Sequence, residues 1–137
     1  CSSDLEDFNT ISMPYIQQIV NGVKGLCPVI VFAKGVWHSM DEMVNSGASA
    51  LGVDWSQTPI TARALTGNKI TLQGSYDPIK LLQSVEKIKS DVWKMIDEFG
   101  PQRYVANLGH GIVPNIPVPH AKAFVQAVKE WKPAQQR

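Results

Sequence analysis

Cysteine is scarce, charge of the two signs is balanced and no apolar run is long, and each shortage removes a class of protein. The two cysteines, Cys1 and Cys27, cannot build a disulfide framework and show no CxxC or His/Cys ligand spacing. Reduced thiols in a cytoplasmic setting are therefore expected, and no metal. Thirteen Lys and Arg stand against twelve Asp and Glu, a net charge of +1 with no basic stripe to follow a phosphate backbone, so nucleic acid is not an expected partner. No apolar run approaches the roughly 20 residues that cross a bilayer, and no charged segment leads into an apolar signal core, so no membrane partner is expected. GxxxxGK[ST], GxGxxG after a strand, GxSxG and HExxH are all missing, which takes support from phosphate loops, dinucleotide folds, serine hydrolases and one class of zinc enzyme.

What is present reads as globular. Apolar residues make up 44% of the 137 positions and charged residues 18%, without blocks or low-complexity segments, a balance that neither disordered nor fibrous chains show. A chain of this size can bury one core, so a single domain over 1–137 is expected. It begins with Cys1 rather than Met, with helical spacing almost at once, and is expected to be truncated at its N-terminus.

Apolar residues Phe8, Ile11, Tyr15, Ile19, Val20 and Val23 recur at helical spacing across 5–24, with Pro14 bending or interrupting the helix. Four short apolar runs, each with a polar tip, follow as strands. Pro28 to Ala33 reads as buried on both faces; Ala50 to Trp55, Lys69 to Gly74 and Tyr104 to Leu108 are the others. Helical patterns lie between them, the clearest running from Val85 through Ile88, Val92, Met95 and Ile96 to Phe99, where Gly100-Pro101 stops it. A last helix is expected near 119–131. Strands alternating with helices imply βαβ units and a parallel sheet. Four such units form either a small doubly wound domain or half of a (β/α)8 barrel.

Ligands of parallel α/β folds bind at the carboxyl ends of the strands. That rule singles out Phe32 with Lys34, Asp54 with Trp55, Gln73 with Gly74 and Asp77, and Asn107 with His110. His110 stands between two glycines, where the backbone can curl and expose an imidazole of a type that titrates near neutrality; it can meet a carboxylate, move a proton, or simply bond a loop carbonyl. Asp54 can act as a base or fix its own loop, and Trp55 can stack on a flat ligand or pack. Lys34 can attract an anion or lie in solvent. Asp77-Pro78 reads as a helix cap with a first-turn proline. His38 and His120 read as surface residues near helices, and Cys27 as an inert small apolar side chain.

Two longer strings carry a resemblance. Leu72-Gln73-Gly74-Ser75-Tyr76-Asp77-Pro78 resembles the LQGNLDP motif of the uroporphyrinogen decarboxylases, with Ser75-Tyr76 in place of Asn-Leu. Asn107-Leu108-Gly109-His110-Gly111-Ile112 matches the family's NLGHGI/L motif. Phe32-Ala33-Lys34-Gly35, Gly52-Val53-Asp54-Trp55, Phe99-Gly100-Pro101 and Arg103-Tyr104 fall in the family's order, and Met13-Pro14-Tyr15 resembles its LPY segment, so the likeness covers nearly the whole chain.

The resemblance implies the C-terminal half of a (β/α)8 TIM barrel, four parallel strands with flanking helices, from a protein that is usually a cytoplasmic homodimer. It implies a carboxy-lyase without a cofactor, which converts the four acetates of uroporphyrinogen to methyls and gives coproporphyrinogen in haem biosynthesis. In the family an aspartate binds the pyrrole NH groups while arginines and polar groups hold the carboxylates. The position matching a propionate contact that also helps proton delivery is His110, and Phe32 matches a pocket aromatic that packs on the macrocycle. Gln73, Gly74 and Asp54 are further strand-end contacts. The family's RQAGR segment, its NH-binding aspartate and its tyrosine and serine contacts have no counterpart here, so no catalytic residue is assigned and the chain alone is expected to be inactive. Arg63, Arg103 and Arg137 all lie away from the expected strand tips.

Two other readings stand beside this one. A methyltransferase of the same superfamily would resemble zinc proteins with an HxC motif and a further cysteine, which this sequence does not contain. A non-catalytic half barrel that binds a tetrapyrrole or a partner protein would leave edge strands and an apolar face uncovered, and would self-associate.

Overall fold

The computed structural model describes residues 6–136; the expectations for Cys1, for a helix start at Leu5 and for Arg137 lie outside them. Four parallel strands, β1 (Ile30–Phe32), β2 (Ala50–Val53), β3 (Thr71–Tyr76) and β4 (Tyr104–Leu108), pair in chain order. The register runs Phe32, Gly52, Gln73 and Val105 across the sheet, with Leu51, Leu72 and Tyr104 one residue earlier and so on the opposite face.

Helices cover that opposite face. They are α1 (Met13–Val23), α2 (Met40–Val44), α3 (Pro59–Leu65), α4 (Val85–Phe99) and α5 (Val118–Glu130). The core joins Leu51, Val53 and Leu72 of the sheet to Met43, Ile88, Val92, Ile96 and Phe124 of the helices. Leu51, Leu72, Ile88 and Val92 are fully buried, and each such side chain contributes about 2 kcal/mol from apolar burial.

The helix starts follow from their caps. Thr58 accepts from the Thr61 N–H ahead of Pro59, Asp77 from Ile79 ahead of Pro78, and Ser84 from Lys87. Gly100 closes α4 at φ 75°, a conformation that carries little penalty without a β-carbon. Trp93 donates to the Ala127 carbonyl and Trp131 to Asp97, which ties α5 to α4.

The first helix changes from a π-helical stretch at Phe8–Ser12 to α1 just ahead of Pro14, in line with the expected interruption; Ile11, Tyr15 and Ile19 are exposed and Val20 alone of α1 is buried. Four expectations need correction. β1 is not buried on both faces. It is an edge strand whose Ile30 and Phe32 are 49% and 46% exposed, because they point to the face of the sheet that carries no helix. β3 runs two residues past Gly74, so Gln73 and Gly74 lie within the strand and Tyr76 is at its end. His38 and His120 are half-buried rather than fully at the surface: His38 meets the Ser39 hydroxyl, and His120 contacts the Leu81 carbonyl at 2.6 Å, linking α5 to the turn at Pro78–Leu82. Cys27 is a free, exposed thiol.

Candidate functional site

Phe32 of β1, Gly52 and Val53 of β2, Gln73 within β3 and the β4 tip from Asn107 to Gly111 line an open cleft of roughly 600 Å³. Phe32, Gln73, Asn107 and His110 all line it, four of the residues that strand ends and glycine context singled out. Leu81, Ile112, Phe124 and Val125 supply an apolar wall that sequence reasoning missed. Its signal was present in Val125, which falls off the core stripe of α5 and is exposed.

His110 sits in an aromatic setting. Its ring centroid is 6.3 Å from that of Phe32 and 6.4 Å from that of Trp55, the latter edge to face at 86°. Gly109 makes this approach possible. A β-carbon there would stand 3.0 Å from both the Asp54 Cα and the Trp55 nitrogen, so the glycine lets the β4 tip close onto the β2 tip.

Asp54 holds its own loop. One carboxylate oxygen accepts from the Gly35 N–H at 2.6 Å and the other from the Ser56 N–H at 2.8 Å, which joins the β1 tip to the β2 tip. Burial opposes its ionisation, but the Ser56 hydroxyl, these two backbone donors and the Lys34 charge outweigh burial and hold the carboxyl below its ordinary range. Asp54 does not line the cleft.

Gly74 is buried against β2. Its φ is 134°, a β-carbon would stand 2.1 Å from the Val53 carbonyl oxygen, and its own carbonyl accepts from the Tyr104 hydroxyl. It shapes the sheet beneath the cleft and does not line it. Gly52, which does, has Phe32 directly against it: a β-carbon would come within 2.8 Å of the Phe32 ring.

Arg63 is far from this chemistry. It is buried and donates to the carbonyls of Phe99, Gln102 and Arg103, at the end of α4 and the start of β4. Tyr76 is also buried, with its ring 5.3 Å from that of Phe124. Burial, with smaller contributions from Asp91 and Asp77, raises its pKa and keeps the phenol neutral. Among the described residues no group of three or more His, Cys, Asp or Glu could hold a metal ion, and no helix is long and apolar enough to cross a membrane.

The cleft thus offers an apolar wall, the side-chain amides of Gln73 and Asn107 and one imidazole. A family model described as uroporphyrinogen decarboxylase (URO-D) matches residues 4–131. A uroporphyrinogen decarboxylase from Flavobacterium johnsoniae is 57% identical over 125 residues, 91% of this chain and 37% of that protein. One from Christiangramia forsetii is 53% identical over 127 residues, 93% of this chain and again 37% of the relative. Among solved structures, a methyltransferase from Methanosarcina mazei superposes with a TM-score of 0.78 at 21% identity, over 91% of this chain and 37% of that one. At that identity the likeness speaks to the fold alone. The chain therefore spans a little over a third of the length of the proteins it matches.

Proposed function

The chain belongs to the uroporphyrinogen decarboxylase family, and from that premise we propose that it forms one side of the substrate cleft of a decarboxylase. The substrate is uroporphyrinogen, the reaction converts its four acetates to methyls in haem biosynthesis, and the product is coproporphyrinogen. The observation that carries this reading is the convergence of Phe32, Gln73 and His110 on one cleft, with an apolar wall beside them.

Each turn of the reaction breaks the bond between an acetate carboxylate and its methylene, releases carbon dioxide and adds one proton, which leaves a methyl group. A pyrrole ring protonated at carbon accepts the electron pair as that bond breaks, so the reaction needs fixed charge and proton supply rather than a redox partner. His110 fits a role at the macrocycle edge, where it meets a propionate carboxylate and serves proton delivery. Phe32 fits the ring face, and Gln73 offers an amide to a polar edge. Asp54 and Gly74 support this arrangement from outside the cleft, as the loop clamp and the sheet floor.

The (β/α)8 barrel of which these four units form one half, a single domain truncated here at its N-terminal side, a homodimer and a cytoplasmic location are part of the same proposal. It rests on the family and on the bare sheet face that carries Ile30, Phe32 and Val105.

The test is His110→Ala in the longest polypeptide in which these residues occur. Decarboxylation of uroporphyrinogen, followed as coproporphyrinogen formed, should fall by about 10²-fold, the size expected when a proton-handling group is removed, while the unfolding temperature stays near wild type. Unchanged turnover would refute the assignment of His110.

A further inference from the structure

Lys34 follows β1 and stands beside the proposed cleft. Its ammonium lies 5.3 Å from the centre of the Trp55 ring. That ring meets His110 edge-on, and Phe32 meets His110 from another side. The backbone just after Lys34 is fixed, because the Gly35 N–H donates to Asp54. Lys34 is thus a cation on an anchored loop, resting against an aromatic face.

Among the described residues that charge has no ion-pair partner. The ion pairs among the described residues are Lys87 with Asp91, Lys89 with Glu130, and Lys94 with Glu98, all on α4 or between α4 and α5. Asp54 feels the charge of Lys34, but its carboxylate oxygens are directed to the N–H groups of Gly35 and Ser56. A lysine in open solvent gains little from an indole. Here the same indole also meets the imidazole that lines the cleft.

From this arrangement, and resting on the reading of the cleft given above, we propose that Lys34 is a substrate-binding residue that takes a carboxylate at the rim next to the one held by His110. A macrocycle with its face on Phe32 and one acidic arm at His110 carries further arms around its perimeter. The arm on the Trp55 side comes to the rim where the Lys34 ammonium rests on the indole. An ammonium suits that place because it is a compact charge on a flexible stem and accepts a carboxylate from several angles.

The experiment compares wild type, Lys34→Met and Lys34→Arg in the longest polypeptide in which these residues occur. It measures KM and kcat for uroporphyrinogen and Kd for uroporphyrin, at low and high sodium chloride. Lys34→Met should raise KM and Kd about tenfold at low salt, the size of one partly exposed charge-assisted contact, with kcat within about twofold. The gap should narrow at high salt, and Lys34→Arg should recover most of the loss. Trp55→Leu should move KM in the same direction as Lys34→Met.

Lys34→Met with wild-type KM and wild-type salt dependence would overturn the proposal while leaving the cleft assignment intact. A fall in kcat that Lys34→Arg does not rescue would also overturn it, as the mark of a structural role. Wild-type protein that neither binds uroporphyrin nor turns over uroporphyrinogen would overturn the cleft assignment and this inference together.

Discussion

Gly109 rests on Asp54: with a side chain, its β-carbon would sit 3.0 Å from the Asp54 Cα and 3.1 Å from the Asp54 carbonyl carbon. The two residues come from the tips of β4 and β2, which β3 separates in the sheet. Their contact carries His110 to the ring of Trp55. Gly109→Ala should therefore act mainly on function, because the neighbouring atoms are backbone and cannot rotate away. Its stability cost should be about 1–3 kcal/mol, the range for overpacking, read by denaturant unfolding, and kcat/KM should fall further than that loss of folded protein explains. Gly22→Ala on α1, which meets nothing within 4 Å and lies outside the cleft, is the matched control.

Gly74→Ala should be the most damaging of the glycine substitutions. The new carbon would collide with the Val53 carbonyl oxygen at 2.1 Å, and φ of 134° is a conformation that side chains rarely adopt. A loss above about 4 kcal/mol, or no soluble protein, is expected. Wild-type stability on chemical denaturation would contradict the packing of β3 on β2.

Asp54 predicts a particular acid response. Its folded pKa lies below the ordinary carboxylate value of 3.8, so the folded state binds the proton less readily than the unfolded state. The stabilisation is complete above that ordinary value and is lost as pH falls through the lower folded one. Because the carboxylate is only half-buried, solvent screening keeps the contribution small. Unfolding temperatures measured from about pH 7 down to pH 3 should show a shallower acid limb for Asp54→Asn than for wild type.

Arg63→Met should cost about 2–4 kcal/mol, since it leaves the carbonyls of Phe99, Gln102 and Arg103 without their buried donor. Turnover per folded molecule should not change, because Arg63 is outside the cleft. A raised KM with intact stability would reverse that assignment.

The 137 residues expressed alone should self-associate or precipitate. Ile30, Phe32 and Val105 are each more than 40% exposed on one sheet face, and β1 and β4 are both edges. A monodisperse monomer by light scattering would contradict this.

How much of this was legible in the sequence depended on whether the signal was local. β4 was read at its observed limits because Gly100-Pro101 and Gly109 bracket an apolar run. α4 was equally plain, since five of its stripe residues are buried together. The end of β3 was misplaced because Gly74 looked like a terminator, whereas it is a point of close approach to Val53, a residue 21 positions earlier. The burial of β1 was misjudged because an apolar run reports the strand and not what lies beside it. Phe32, Gln73 and His110 were found through their strand-end positions and the family motifs. The apolar wall from Leu81 and Phe124 and the edge-to-face contact of Trp55 with His110 needed the fold, since both join residues more than 40 positions apart.

The most direct test of the central claim is a crystal structure of the longest polypeptide containing this chain with uroporphyrin bound. The account predicts the macrocycle against Phe32 with a carboxylate in hydrogen-bond reach of the His110 ring. A macrocycle seated away from the ends of β1, β3 and β4, with His110 facing solvent, would contradict it.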